Sequence, residues 1–230
     1  MLFNRLLSLT LVVCINAVNA EPLAVYTESL PPFQLVEANS VTGTATVKVK
    51  QLLESANLSY QIQVVPWARA YNIVKTTPNT LIYSINRSPE REAEFYWIAE
   101  VAEIGNCFIS LSSNKLNITQ LEDAKKHLTA VVRDGYAHDY LYKNGFVVDQ
   151  DMYVVATLDQ QISLLLNGKV DFLFTDIQSV QYHLSLHNLD PTLVTRKYTQ
   201  ADWTRTLYLA ANIDSDQQIL QQLTAQFADR

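Results

Sequence analysis

The chain has 230 residues, 48% hydrophobic and 17% charged, with 5 glycines and 7 prolines. That composition supports one or two packed domains and excludes a disordered or collagen-like chain. The formal net charge is −6 and no basic run occurs, which argues against nucleic-acid binding and against attachment to a polyanionic membrane surface.

MLFNRLLSLTLVVCINAVNA, residues 1–20, places Arg5 ahead of an apolar stretch that ends in Val18-Asn19-Ala20. This pattern predicts a cleaved secretory signal. An anchor or a buried helix is the alternative, but the run is short for a bilayer span and is interrupted by Asn16. Lipidation at Cys14 is opposed by Val13, where a small residue is wanted. Beyond the leader only Cys107 remains. It has no partner for an internal disulfide and is expected to be buried rather than reactive.

Beyond the leader the predicted elements alternate. Residues 22–27 form a short strand, 44–57 a helix with Val47, Leu52, Leu53 and Ala56 near one face, and 60–65 a strand. Pro66 opens a helix over 67–75; strands follow at 81–85 and 104–111, then a helix over 118–127. A strand at 128–133 ends at Asp134-Gly135, and a helix at 136–143 stops at Asn144-Gly145. Strand 152–156, helix 158–166, strand 170–175 and helix 177–187 come next, with strands at 192–196 and 206–211 and a last helix at 216–227. Such alternation predicts an α/β fold with mostly parallel sheets. The length favours two small lobes. No flexible linker is present, so structured strands near 102–111 and 189–198 are expected to cross between them.

Candidate site residues lie at strand ends. In LIYSINRSPEREAEF, Arg91 stands beyond a strand, in or near a short helical turn, where a guanidinium can grip a carboxylate through two parallel hydrogen bonds. The competing reading is a solvated turn in which Arg87, Glu90, Arg91, Glu92 and Glu94 pair with one another. Ser84 and Asn86, two apart, face the same side of the strand end. Asp176 closes another strand and opens a helix, so it is either a helix cap or an acceptor for an ammonium group. Trp67 and Arg69 in VPWARAY, and Tyr26 and Glu28 before Leu30-Pro31-Pro32-Phe33, complete the set. Trp67 serves either as an aromatic wall or as core, and Phe33 packs under its loop. His183 and His187 are spaced like metal ligands, but no third ligand accompanies them. No metal or cofactor is expected. Glu28, Arg91 and Asp176 could in principle make an acid–base enzyme.

Taken in order, LAVYTESLPPF, VTGTATVKVKQLL, VVPWARAYNIV, LIYSINRSPEREAEFYWI, LLNGKVDFLFTD and TRTLYLA resemble the bacterial periplasmic solute-binding proteins of family 3, the polar amino-acid type. The resemblance implies a two-lobed α/β clamp, with a first lobe over residues 21–104, a second over 105–194 and a returning part of the first over 195–230. It implies a ligand between the lobes, an amino-acid-like solute or small carboxylate. The protein would be a periplasmic monomer that delivers this solute, without catalysis, to an inner-membrane ABC permease. By the same resemblance Arg91 holds the ligand carboxylate, Ser84 and Asn86 contribute polar contacts, and Asp176 binds the ammonium. Leu30 departs from the pattern, standing where a stacking aromatic is usual. Periplasmic dehydratases and ligand-sensing modules share this clamp and are the alternative functions.

Overall fold

The computed structural model describes residues 21–38 and 40–225. The expected leader, residues 1–20, lies outside the described residues.

The first sheet is built on β1 (Leu23–Thr27), which pairs in parallel with β4 (Tyr60–Val64) on one side and β5 (Thr80–Asn86) on the other. Between β1 and β4 lie a small hairpin of β2 (Leu35–Glu37) and β3 (Ser40–Thr42), then α1 (Thr44–Ser55). The helix α2 (Trp67–Thr76) returns the chain to β5. On β1 the residues Leu23, Val25 and Thr27 are buried in alternation, β5 between its neighbours is buried on both faces from Thr80 to Ile85, and Ala45, Val49 and Leu53 give α1 one apolar stripe.

The strand β6 (Phe95–Leu111) has 17 residues. At about 3.3 Å per residue it runs for roughly 55 Å, enough to belong to both lobes. Residues 95–105 pair antiparallel with β11 (Thr204–Asn212) in the first sheet. Residues 106–111 pair antiparallel with β9 (Phe172–Asp176) and β10 (Val194–Tyr198) in the second. The second lobe is completed by α3 (Leu121–Ala124), β7 (Thr129–Val132), α4 (Tyr136–Lys143), β8 (Met152–Val155), α5 (Leu158–Leu166) and α6 (Ile177–Leu186); β7 lies parallel to β8 and β9. The last helix, α7 (Gln217–Ala225), packs back on β6. The protein is a two-lobed α/β clamp whose lobes share the strand β6. Each lobe keeps a parallel core, but the sheets are mixed rather than mostly parallel, because the crossing strands run against their neighbours.

Three local expectations change. The helix predicted over 118–127 shrinks to Leu121–Ala124. Asp123 turns back to accept from the Thr119 amide and hydroxyl at 3.1 and 3.0 Å, and the following amides make tighter i→i+3 bonds. Residues 87–94 form turns rather than a short helix, with the Arg91 amide donating to the Ser88 carbonyl at 3.0 Å. The return crossing also lies later than 195. The strand β10 pairs with the second-lobe half of β6 and Trp203 packs in that lobe, so the chain re-enters the first sheet at Thr204.

One apolar cluster runs through both lobes, from Leu23 and Val49 to Ile162 and Leu184. A second, aromatic cluster fills the second lobe, with Trp203 touching Phe108, Phe174, Tyr140 and Tyr198 edge-on. Cys107 is buried, and desolvation pushes its thiol up to about 11, so it does not act as a thiolate at neutral pH.

Candidate functional site

A cavity sits between the lobes, beyond the carboxyl ends of β1 and β5. From the first lobe come Glu28, after β1, and Ser84 and Asn86, at the end of β5. Trp67, at the start of α2, adds an aromatic wall. From the second lobe come Tyr136 at the start of α4, Gln161 on α5 and Thr175 on β9. The crossing strand β6 contributes Asn106. The lobes are in contact, and the closed cleft leaves about 70 Å³ to be filled, room for roughly five water-sized groups.

Ser84 reaches the wall through a distortion. The pairing of β5 with β11 slips between Tyr208 and Leu209, passing over Ser84, whose φ is +63°. This local bulge turns its side chain toward Gln34, whose amide donates to the Ser84 hydroxyl. Asn86 lies at the strand end, and its Nδ2 is buried without a partner. Across the cleft Gln161 is fully buried. Its Nε2 donates to the Ala130 carbonyl at 2.7 Å, while its Oε1 has no partner.

Glu28 is half-buried and lines the cavity. Desolvation alone pushes its carboxyl up to about 8; no neighbouring charge contributes. At neutral pH it is therefore mostly protonated when no cation lies beside it.

Trp67 fills both roles open to it. It is 3% exposed within a first-lobe cluster and also walls the cavity, and its Nε1–H donates to the Asp134 carbonyl of the second lobe at 2.8 Å. Arg91 is 5% exposed and lies in the interlobe gap, but it does not reach the cavity wall. Its Nη2 donates to the same Asp134 carbonyl at 2.8 Å and to Asp139 Oδ2 at 2.9 Å, and its guanidinium lies 5.0 Å from the Tyr71 ring centre. The reading of a self-paired turn holds for Arg87 with Glu92, whose Nε–Oε2 distance is 2.8 Å, but not for Arg91. Glu90 reaches across to Lys143 at 2.5 Å, and Arg205 donates to the Tyr136 hydroxyl at 2.8 Å. These contacts surround a second pocket of about 330 Å³ at the edge of the clamp, which shares Asn86 and Tyr136 with the central cavity.

Asp176 caps α6. Its Oδ1 accepts from the Ser179 amide at 2.8 Å and from the Ser179 hydroxyl at 3.1 Å. It lies beside a separate depression with Gln178 and Arg196, off the central cavity. Tyr26 is half-buried against the first-lobe cluster, and Arg69 is exposed on α2; neither lines the cavity. The structure thus gathers Glu28, Trp67, Ser84 and Asn86 at one cavity and places Arg91, Asp176, Tyr26 and Arg69 away from it. Asn106, Tyr136, Gln161 and Thr175 escape sequence reasoning. They come from separate second-lobe elements and the crossing strand, and no local spacing marks them.

His183 and His187 stack with ring centres 4.4 Å apart, and His183 Nδ1 lies 3.2 Å from Asp159 Oδ1. Among the described residues no group of three or more His, Cys, Asp or Glu is arranged to hold a metal. No described helix is long and apolar enough to cross a membrane.

No family model matches the sequence, and no curated protein matches it. The structure does have close counterparts, and the class they define is the two-lobed fold of periplasmic binding proteins. A histidine kinase sensor domain with similarity to periplasmic binding proteins superposes with a TM-score of 0.77 at 16% identity, over 89% of this chain and 87% of that one. The arginine-, lysine-, histidine-binding protein ArtJ from Geobacillus stearothermophilus gives 0.77 at 13% identity, over 91% and 90%. An ancestral arginine-binding protein bound to arginine gives 0.73 at 15% identity, over 89% of each chain. At these identities the likeness establishes the fold.

Proposed function

We propose that the protein binds a small polar solute between its lobes in the periplasm and hands it, without catalysis, to an inner-membrane ABC permease. One observation carries this reading. The interlobe cavity is lined by Asn86 and Gln161, one from each lobe, each with a buried side-chain atom left unpaired, Nδ2 and Oε1, together with the Glu28 carboxyl. Buried polar groups without partners are costly, and a solute that satisfies both at once favours the closed clamp over the open one. Of the ligand classes expected from the sequence, an amino-acid-like solute suits this wall better than a bare small carboxylate, since its ammonium group can pair with the Glu28 carboxyl once that group gives up its proton. Delivery to a permease is supported by the fold's likeness to amino-acid-binding proteins.

A thermal-shift screen over amino acids, small amines and small organic acids tests the binding. Stabilisation by at least one class is expected, and a flat response across all of them overturns the reading. The likeness to a kinase sensor domain favours a second reading, in which the solute is sensed rather than transported. Cross-linking in native membranes separates the two: a permease partner supports uptake, a kinase partner supports sensing.

A further inference from the structure

We infer that the cleft selects a small organic monocation, an amine or guanidine lacking a carboxylate, with Glu28 as its anchor. This deepens the binding function proposed above and rests on it.

The cavity wall carries one group able to bear charge near neutrality, the Glu28 carboxyl; the only other titratable side chain on it is the Tyr136 phenol. No lysine, arginine or histidine lines it. The two nearby guanidinium groups stand behind the wall: Arg91 donates to the Asp134 carbonyl and Asp139, and Arg205 to the hydroxyl of the wall residue Tyr136. On the cavity wall itself a ligand carboxylate would therefore meet no cationic side chain among the described residues. A ligand cation meets the opposite situation. Glu28 stands on one lobe with no charged neighbour, Gln161 lines the cavity from the other, and the Trp67 ring adds a π surface. Asn86 Nδ2 is the unpaired donor, suited to a hydroxyl or carbonyl on the same solute. The size of the closed space agrees, since roughly five water-sized groups match a methylguanidine or ethanolamine skeleton better than a long amino acid.

The proton balance follows. With no cation beside it Glu28 holds its proton at pH 7, because burial pushes the carboxyl up to about 8. An incoming cation needs the carboxylate, so binding releases one proton to solvent for each cation bound. Affinity for a ligand that stays charged throughout, such as methylguanidine, should then rise with pH until Glu28 is ionised in the free protein. From pH 6 to pH 9 the gain is roughly 100-fold.

Isothermal titration of the purified protein tests this with methylguanidine and ethanolamine as cations, glycine and glutamine as zwitterions, and succinate as the anion. The cations are expected to bind tightest, with proton release seen as buffer-dependent heat at pH 7. Glu28→Gln is expected to weaken cation binding at least 30-fold and to abolish the pH dependence while the variant still unfolds in a cooperative thermal transition. Gln161→Leu, away from the charge, should weaken binding but keep the proton release. If zwitterions or succinate bind best and Glu28→Gln leaves their affinity unchanged, the cation inference fails while the solute-binding function stands. If no member of the panel binds, both fail.

Discussion

Arg91 of the first lobe and Asp139 of the second are joined across the clamp, Nη2 to Oδ2 at 2.9 Å, and the same nitrogen takes the Asp134 carbonyl at 2.8 Å. A guanidinium positioned like a ligand grip is thus a latch between lobes. The Asp139 side chain is 44% exposed, so the pair itself is softened by water. The buried arginine has more at stake, because opening the clamp removes both of its acceptors.

Arg91→Ala is therefore expected to favour the open clamp. Small-angle scattering of the ligand-free variant should give a radius of gyration above the roughly 17 Å of a compact chain this size, while the parent stays near it. A variant as compact as the parent would show that Arg91 does not hold the lobes together.

Glu28 makes stability depend on pH. Its carboxyl is raised from 4.5 to about 8 on folding, so the folded state holds the proton that the unfolded chain releases. The contribution of Glu28 to stability is greatest below pH 4.5 and falls as pH rises toward 8, by an amount on the order of 3 kcal/mol by pH 7. Glu28→Gln removes this slope. Urea unfolding of both proteins at pH 5 and pH 7.5 measures it, and identical slopes would show that Glu28 titrates normally.

Gly43 precedes α1 with a φ of +102°, and a Cβ there would stand 2.5 Å from the Phe33 carbonyl oxygen. Both the conformation and the contact exclude a side chain. Gly43→Ala should lose about 2 kcal/mol or more of stability, read as a lower urea midpoint. Because Phe33 belongs to the loop that carries Leu30 to the cleft, ligand affinity should fall as well.

Trp203 is fully buried at the centre of the second lobe's aromatic cluster. Trp203→Ala leaves a cavity ringed by Phe108, Phe174, Tyr140 and Tyr198 and should cost about 3–5 kcal/mol. Thermal unfolding followed by circular dichroism checks the loss. A shift of only a degree or two would mean that the cluster repacks around the gap.

Much of the fold was legible in the chain itself where the stop signals are chemical. The helices Tyr136–Lys143 and Leu158–Leu166 run between the bounds that Gly135, Asn144-Gly145, Thr157 and Asn167-Gly168 mark. The first half of β6 was not legible, because Glu100 and Glu103 break the apolar pattern and its pairing partner, β11, lies about a hundred residues away. Of the site, the strand-end rule brought out Glu28, Ser84 and Asn86, and aromatic character brought out Trp67. Local sequence determines which residues stand at the ends of strands and helices, since caps, turns and periodicity act over a few positions. Only the tertiary structure decided what those residues meet. Arg91 meets Asp139, Asp176 meets Ser179 within its own helix turn, and Glu28 meets no charge at all. Electrostatic partnership and desolvation depend on distance in space, and folding sets that distance by bringing one lobe against the other.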